Sequence, residues 1–337
     1  MNGRPRVQLA VLNPGGRDRE QAFPNGAGAP DDKAAHPPVN YHAYAACTGG
    51  TFYRDAGRIP RGQKAVLLVV RRDLNACLKA LRQLKHPGRR VAVSLKESGL
   101  HQVAQLLGTP RNLEIFREIC GAADGCLAST QEMVGVYEAA GGKRVEFIPT
   151  PYPVDSEKWD FGRRLAERSG VFIGTREWET ASRNHAAALL VAARLGTRVT
   201  VVNEDGRAGR NRIEGAGIGN CRIIEGRLPY ADYLRLMAEH RIVLQLDRSA
   251  VPGQVAGDAL LCGMPCAGGD GAIERIVFPE LCGFARETGE IAERAGRLLG
   301  DDGAWEAAVE GARKIGVERV SFGAVAGEIE RFYARIG

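Results

Sequence analysis

Residues Ile242 to Gly269 read I-V-L-Q-L-D-R-S-A-V-P-G-Q-V-A-G-D-A-L-L-C-G-M-P-C-A-G-G. The residue types divide this stretch into strand, loop, helix, tight turn and strand. Ile242 to Leu246 is a short apolar run, the kind that forms a buried parallel strand. Asp247 to Gly253 is polar and ends on Pro252-Gly253, which turns the chain. Val255 to Cys262 is an apolar helical run, closed by Gly263, and Met264-Pro265 leads into a second strand. A loop that leaves the carboxyl end of a strand and opens a helix is where α/β folds bind phosphate. The unbonded N–H groups and the positive helix end face the ligand there.

Outward from this stretch the same alternation continues. In the second half, strands are expected at Val171–Ile173, Val199–Val202, Arg222–Ile224, Ile242–Leu246 and Cys266–Gly268. Helices are expected at Asn184–Leu195, Tyr230–Glu239, Gly253–Cys262, Glu287–Leu299 and Trp305–Gly311. In the first half the strand candidates are Val7–Leu12, Ala65–Val70, Val91–Leu95, Cys126–Ser129 and Val145–Ile148. Leu74, Cys77, Leu78, Leu81 and Leu84 lie at helical spacing between two of them, and Leu113–Ala122 and Glu132–Ala140 behave likewise. Alternation of this kind predicts parallel sheets wrapped by helices.

Pro149-Thr150-Pro151-Tyr152-Pro153 continues neither a helix nor a central strand and reads as a hinge. The expected division is residues 1–152, residues 153–320 and a final helix over 321–337, which caps the second domain or crosses back to the first. Gly16 to Gly62 is rich in Gly, Pro and Asp and reads as a long, weakly structured insertion after the first strand.

The bulk numbers fit a two-domain globular protein: 337 residues, 44% hydrophobic and 26% charged. The net charge of +6 comes from scattered basic residues, so a nucleic-acid partner is not expected. No apolar stretch approaches the roughly 18 residues needed to cross a bilayer. The N-terminal run ends in Asn13-Pro14 without a cleavage-like site, so it reads as a first strand. The 8 cysteines show no paired spacing and read as free thiols of a reducing, cytoplasmic compartment. No Asp-x-Asp or His-x-x-x-His cluster is present, so neither metal nor cofactor is expected.

The run D-A-L-L-C-G-M-P, Asp258 to Pro265, resembles the donor-site signature of GT-B-type glycosyltransferases, especially the retaining nucleotide-sugar-dependent group known as family 4 or group 1. That signature carries two Glu residues eight apart. Asp258 stands at the second, and the first falls on Ala250. The resemblance implies two Rossmann-like, doubly wound α/β domains facing a cleft. It also implies basic residues on the donor diphosphate just after the first strand of the second domain and at the start of the following helix. Arg176, with Thr175 beside it, and Arg183, followed by Asn184, occupy those places. A fixed guanidinium stabilises the charge that the leaving diphosphate gains.

The remaining implied contacts are spread along the chain. Glu225-Gly226-Arg227-Leu228-Pro229-Tyr230 matches the stretch that borders the nucleobase, with Arg227 reaching a phosphate or ribose or lying at the surface. Gly253 and Gln254 open a helix toward the second phosphate, with Ser249 in the loop before it. Asp258 is placed to accept hydrogen bonds from ribose hydroxyls. Gly15 and Gly16 match the Gly-rich loop of the first domain. Lys96 and Glu97 stand where many relatives carry a His. Glu97 is the catalytic candidate there, His101 lies on the following helix, and His36 and His42 are rivals.

The expected function is transfer of a hexosyl group from a nucleoside diphosphate sugar to an acceptor that is a glycan, a lipid-linked sugar, a protein or a metabolite. Peripheral membrane contact through the basic first domain is left open. The alternatives are a GT-B-like protein that binds a nucleotide or sugar without transferring it, and a nicotinamide-dependent dehydrogenase. The dehydrogenase lacks its fingerprint, since Gly15-Gly16 leads into R-D-R-E with no third Gly in register.

Overall fold

A computed structural model describes residues 7–336 of the chain. It has two compact units. One gathers the chain through Asp155 and again from Val320, and the other spans Ser156–Arg319.

The first unit contains β1 (Leu9–Leu12), β2 (Gln21–Ala22), α1 (Asn40–Cys47), β3 (Thr51–Tyr53), β4 (Ala65–Val70), α2 (Leu74–Leu84), β5 (Arg90–Leu95), α3 (Leu100–Leu106), α4 (Pro110–Ala122), β6 (Gly125–Ala128), α5 (Glu132–Ala139) and β7 (Val145–Phe147). Its sheet has the order β2-β3-β1-β4-β5-β6-β7. Every pairing is parallel except the antiparallel edge of β2 on β3. The inner strands β1, β4, β5 and β6 are buried on both faces, which is why they read as continuous apolar runs. Alternate residues serve opposite layers. Ala10, Leu12, Val66 and Leu68 join a core with Leu78, Leu81, Phe116, Ile119 and Tyr137. Leu9, Val11, Leu67 and Val69 join a second core with Tyr44 and with Ile329 and Phe332 of the C-terminal helix.

Gly16 to Gly62 is thus not a weakly structured insertion. It supplies β2, α1 and β3, and β3 pairs directly with β1. The helix α1, N-Y-H-A-Y-A-A-C, escapes a search for periodicity because Tyr41 through Cys47 are all buried. A helix with no polar face carries no 3.6-residue contrast. His42 is also accounted for. Its ring is stacked between His36 at 3.8 Å and Phe52 at 3.7 Å, and Nε2 lies 2.8 Å from the Arg19 carbonyl. Burial pushes its pKa down to about 4, so it is a neutral packing residue.

The second unit contains β8 (Val171–Ile173), α6 (His185–Arg194), β9 (Val199–Asn203), α7 (Gly206–Gly215), β10 (Cys221–Glu225), α8 (Tyr230–Met237), β11 (Ile242–Leu244), α9 (Gln254–Leu261), β12 (Cys266–Ala267), α10 (Ala272–Val277), α11 (Thr288–Gly300) and α12 (Asp302–Arg319). Its sheet is wholly parallel, in the order β10-β9-β8-β11-β12. The helix expected over Trp305–Gly311 runs the full length of α12. The Gly- and Arg-rich α7 and the short α10 are additions that the apolar pattern did not signal.

The chain then returns to the first unit as α13 (Phe322–Arg335), which packs on α1. Exit and return are stitched together within that unit. The Tyr152 N–H donates to the Val320 carbonyl at 2.8 Å, and the Gly323 N–H donates to Asp155 Oδ2 at 3.2 Å. Such bonds explain why the proline-rich segment holds an ordered path.

Candidate functional site

In the second unit the chain moves from β8 to β9 on one side and from β10 across to β11 on the other. The carboxyl ends of β8 and β11 therefore flank the point where the strand order reverses. Open α/β sheets bind ligands outside that point. Gly174, Thr175 and Arg176 leave β8, and Leu246, Asp247 and Arg248 follow β11. Gly174 is required where it stands, since a Cβ there would lie 2.1 Å from Val255 Cγ1.

The two loops are tied together by polar contacts. Arg183 Nη1 pairs with Asp247 Oδ2 at 2.7 Å, and its Nη2 lies 3.3 Å from Glu177 Oε2. Asn184 Nδ2 donates to the Leu246 carbonyl at 3.2 Å from a left-handed backbone, with φ of 52°. Ser249 donates its N–H to Asp247 Oδ1 at 2.8 Å, and its hydroxyl bonds the same oxygen. Asp247 is only 1% exposed, so these donors and Arg183 carry its charge. Thr175 Oγ1 lies 2.7 Å from His185 Nδ1, and His185 Nε2 lies 2.5 Å from the Glu177 carbonyl. A carbonyl only accepts, so Nε2 holds the proton and Nδ1 accepts from Thr175. Burial lowers the His185 pKa and keeps the ring neutral.

Arg176 sits under the same rim. Its guanidinium lies 4.8 Å from the centre of the Tyr233 ring, and Nη1 pairs with Glu204 at 3.2 Å. Burial works against its charge, and Tyr233, Asp258 and Glu204 outweigh this and hold its pKa above the ordinary value. Asp258 on α9 is 1% exposed and accepts the Tyr230 hydroxyl. Burial pushes its pKa up to about 7, against the pull of Tyr230 and Arg176. Tyr230, which covers this carboxylate, is itself half-buried. Arg183 and Ser249 thus share Asp247, Asn184 is tied to Leu246 and Thr175 to His185, while Arg176 and Asp258 form a second group with Glu204, Tyr233 and Tyr230.

Gly253 and Gln254 start α9 as expected, and Gly253 has φ of 92°. A Cβ on Gly253 would lie 2.2 Å from Glu274 Oε2. Arg227 lies beyond β10, exposed and without a side-chain partner among the described residues. In the first unit, Gly15 takes φ of 64°. Gly16 presses on Asn13, where a Cβ would meet Nδ2 at 2.4 Å. Asn13 Nδ2 donates to Asp18 at 3.0 Å, and Lys96 reaches the same carboxylate at 3.5 Å. Glu97 is half-buried in the next position, after β5. His101 is exposed on α3 and bonds Gln105.

Sequence reasoning missed Glu274, Asp270, His185, Tyr233 and Glu204. Glu274 is 0% exposed, takes a bond from Gln245 Nε2, and burial pushes its pKa up to about 8. Asp270 accepts the Ala250 N–H at 2.9 Å. The available signal was position: G-G-D-G-A-I-E follows directly on the strand β12. Among the described residues no group of three or more His, Cys, Asp or Glu is placed to hold a metal, and no helix is long and apolar enough to cross a membrane. All 8 cysteines are free.

No family model and no curated protein matches the chain by sequence. Solved structures do match. Sucrose-phosphate synthase from Thermosynechococcus elongatus aligns with a TM-score of 0.66 and 15% identity, over 98% of this chain and 99% of that one. A UDP-forming α,α-trehalose-phosphate synthase from Burkholderia xenovorans aligns with a TM-score of 0.65 and 11% identity, over 98% and 99%. HepE from Anabaena, solved with UDP and glucose, aligns with a TM-score of 0.59 and 14% identity, over 80% and 78%. The chain has the GT-B fold that these proteins share.

Proposed function

We propose that this protein is a glycosyltransferase that takes a sugar from a nucleoside diphosphate sugar held by its second unit. The observation that carries the reading is the loop between β8 and α6. It presents Arg176 and Arg183 at the strand-order reversal and is braced by Asp247, Glu204 and the Thr175–His185 bond. Two fixed guanidinium groups at that place suit a diphosphate. UDP is the first nucleotide to test, because the similar HepE structure holds UDP with glucose and the similar trehalose-phosphate synthase is UDP-forming.

In this reading the bond between the anomeric carbon and the diphosphate oxygen breaks as the acceptor oxygen bonds the same carbon. Arg176 and Arg183 stabilise the negative charge that grows on the diphosphate. With retention of configuration, a leaving phosphate oxygen takes the acceptor proton, and no protein base is required. The transferred group is a hexosyl unit, and the protein acts in the cytoplasm.

Thermal shift with UDP, GDP and ADP tests the donor site, because a ligand of the folded state raises the midpoint. A selective rise with one of them is expected. A folded sample that responds to none refutes the reading. A second reading, binding without transfer, is favoured by Ala250 standing where the resemblance calls for Glu. Binding of sugar nucleotides with neither transfer nor hydrolysis across a broad acceptor set would establish it.

A further inference from the structure

Three carboxyl groups gather where β11 and β12 end, and they differ in access. Asp247 is consumed by Arg183 and Ser249. Glu274 is fully buried, and its Oε2 has no partner among the described residues. That oxygen is aimed at the glycine backbone beside it, since a Cβ on Gly253 or Gly271 would meet it at 2.2 or 2.4 Å. Asp270 alone keeps part of its side chain, 13%, open to solvent.

Asp270 is also held in place. Its N–H donates to the Asp247 carbonyl at 3.1 Å, and Oδ1 accepts the Ala250 N–H at 2.9 Å. Oδ2 lies 3.9 Å from Arg275 Nη2, and that guanidinium is stacked 3.9 Å over the Phe284 ring. A carboxylate has about four acceptor positions, and these contacts leave room for further donors. Position 250 itself has only a methyl side chain and a left-handed backbone, with φ of 48°. A carboxylate therefore lies against residue 250 although residue 250 does not supply it.

The geometry points to Asp270 as the residue that holds hydroxyl groups of the transferred sugar, standing in for the carboxylate that Ala250 lacks. This rests on the donor reading above. A sugar presents adjacent O–H donors, and a preset carboxylate can accept two of them. A bare nucleoside diphosphate has no such group to offer at that place, so the contribution of Asp270 appears as a preference for sugar nucleotide over nucleotide.

The test is titration calorimetry on the full chain. The probes are UDP-glucose, UDP-N-acetylglucosamine, GDP-mannose and ADP-glucose, each paired with its own nucleoside diphosphate. The quantity read is the affinity ratio within the best-binding pair. Wild type is expected to favour the sugar nucleotide by about ten- to a hundredfold, the range for charge-assisted hydrogen bonds. Asp270→Asn keeps an oxygen for the Ala250 N–H and is expected to bring the ratio close to one at an unchanged thermal midpoint. Should that variant not fold, Asp270→Glu reads the same ratio, with at least a several-fold change expected. A wild-type ratio near one, or a variant that keeps the wild-type ratio, overturns the assignment. Failure of wild type to bind any of the nucleoside diphosphates is a different result: it takes down the donor reading first, and this inference with it.

Discussion

Replacing Glu274 by Gln should stabilise the second unit at neutral pH and remove most of a pH dependence that wild type shows. Glu274 is completely buried, and its pKa rises from 4.5 to about 8 because burial penalises the charged form. Below pH ~4.5 both folded and unfolded chains hold the proton, and the group adds no penalty. Between the two values the unfolded chain releases the proton and the folded chain keeps it, so stability falls as pH rises. Above about 8 the loss is complete. At about 1.4 kcal/mol per pH unit the full loss has a ceiling of about 5 kcal/mol.

Gln has the same shape. Its carbonyl oxygen accepts the Gln245 amide, and its amide nitrogen replaces Oε2 against Gly253 and Gly271. Urea unfolding followed by circular dichroism at pH 5, 6, 7 and 8 measures the difference. The advantage of Glu274→Gln over wild type should grow by several kcal/mol across that range. Glu274→Ala should also lack the slope but lose about 2–3 kcal/mol at every pH, from the void and the abandoned Gln245 amide. Parallel pH curves for wild type and Glu274→Gln would refute the reasoning and mean that Glu274 is ionised or hydrated in the fold.

Other expectations follow from the same geometry. Gly253→Ala should destabilise by about 2 kcal/mol or more in thermal unfolding, because φ is 92° and the new Cβ would lie 2.2 Å from Glu274 Oε2. Arg183→Ala should abolish donor turnover and also cost about 3 kcal/mol, because it strands the buried Asp247 carboxylate. Arg183→Lys keeps the charge and should give the cleaner loss of nucleotide affinity by calorimetry. Tyr230→Phe removes a bond that pulls the Asp258 pKa down, so that pKa should move above about 7. The falling stability that Asp258 contributes would then extend to higher pH, as denaturation between pH 6 and 9 would register.

Most of the sheets was legible because their inner strands are buried on two faces. Ala65–Val70 and Val171–Ile173 fall where apolar runs put them, and Leu74–Leu84 falls where its spacing puts it. What failed has one physical cause at both extremes. The buried α1 shows no polar face, and α7 shows only one buried branched residue, Ile213, among its glycines and arginines. A periodic signal needs contrast, and neither helix has it. The place of Arg176 and Arg183, after a strand and before a helix, was legible. Their partners were not, because pairing of Arg183 with Asp247 joins residues 64 apart, and a sequence pattern holds no such distance.

The acidic residues carry the sharpest form of that limit. In the sequence only Asp258 stands in the signature, and Asp247, Asp270 and Glu274 are undistinguished charges. In the fold Asp247 is an ion-paired brace, and Asp258 and Glu274 are held toward the neutral form by burial. Asp270 keeps a solvent-facing edge against Ala250. Burying such groups disfavours their charged forms, and each remains because something else is gained. For Asp247 the gain is the fixed direction of Arg183. For Asp258 it is a hydroxyl held under the rim beside Arg176. The substitution at position 250 fits the same logic: a lost side-chain carboxylate matters less to a site if the backbone at that position anchors another. A motif comparison scores Ala250 as a missing residue, while the geometry places a carboxylate 2.9 Å from its nitrogen. On the proposed reading, discrimination of a sugar nucleotide from its nucleotide turns on residue 270, which no spacing rule for the signature contains.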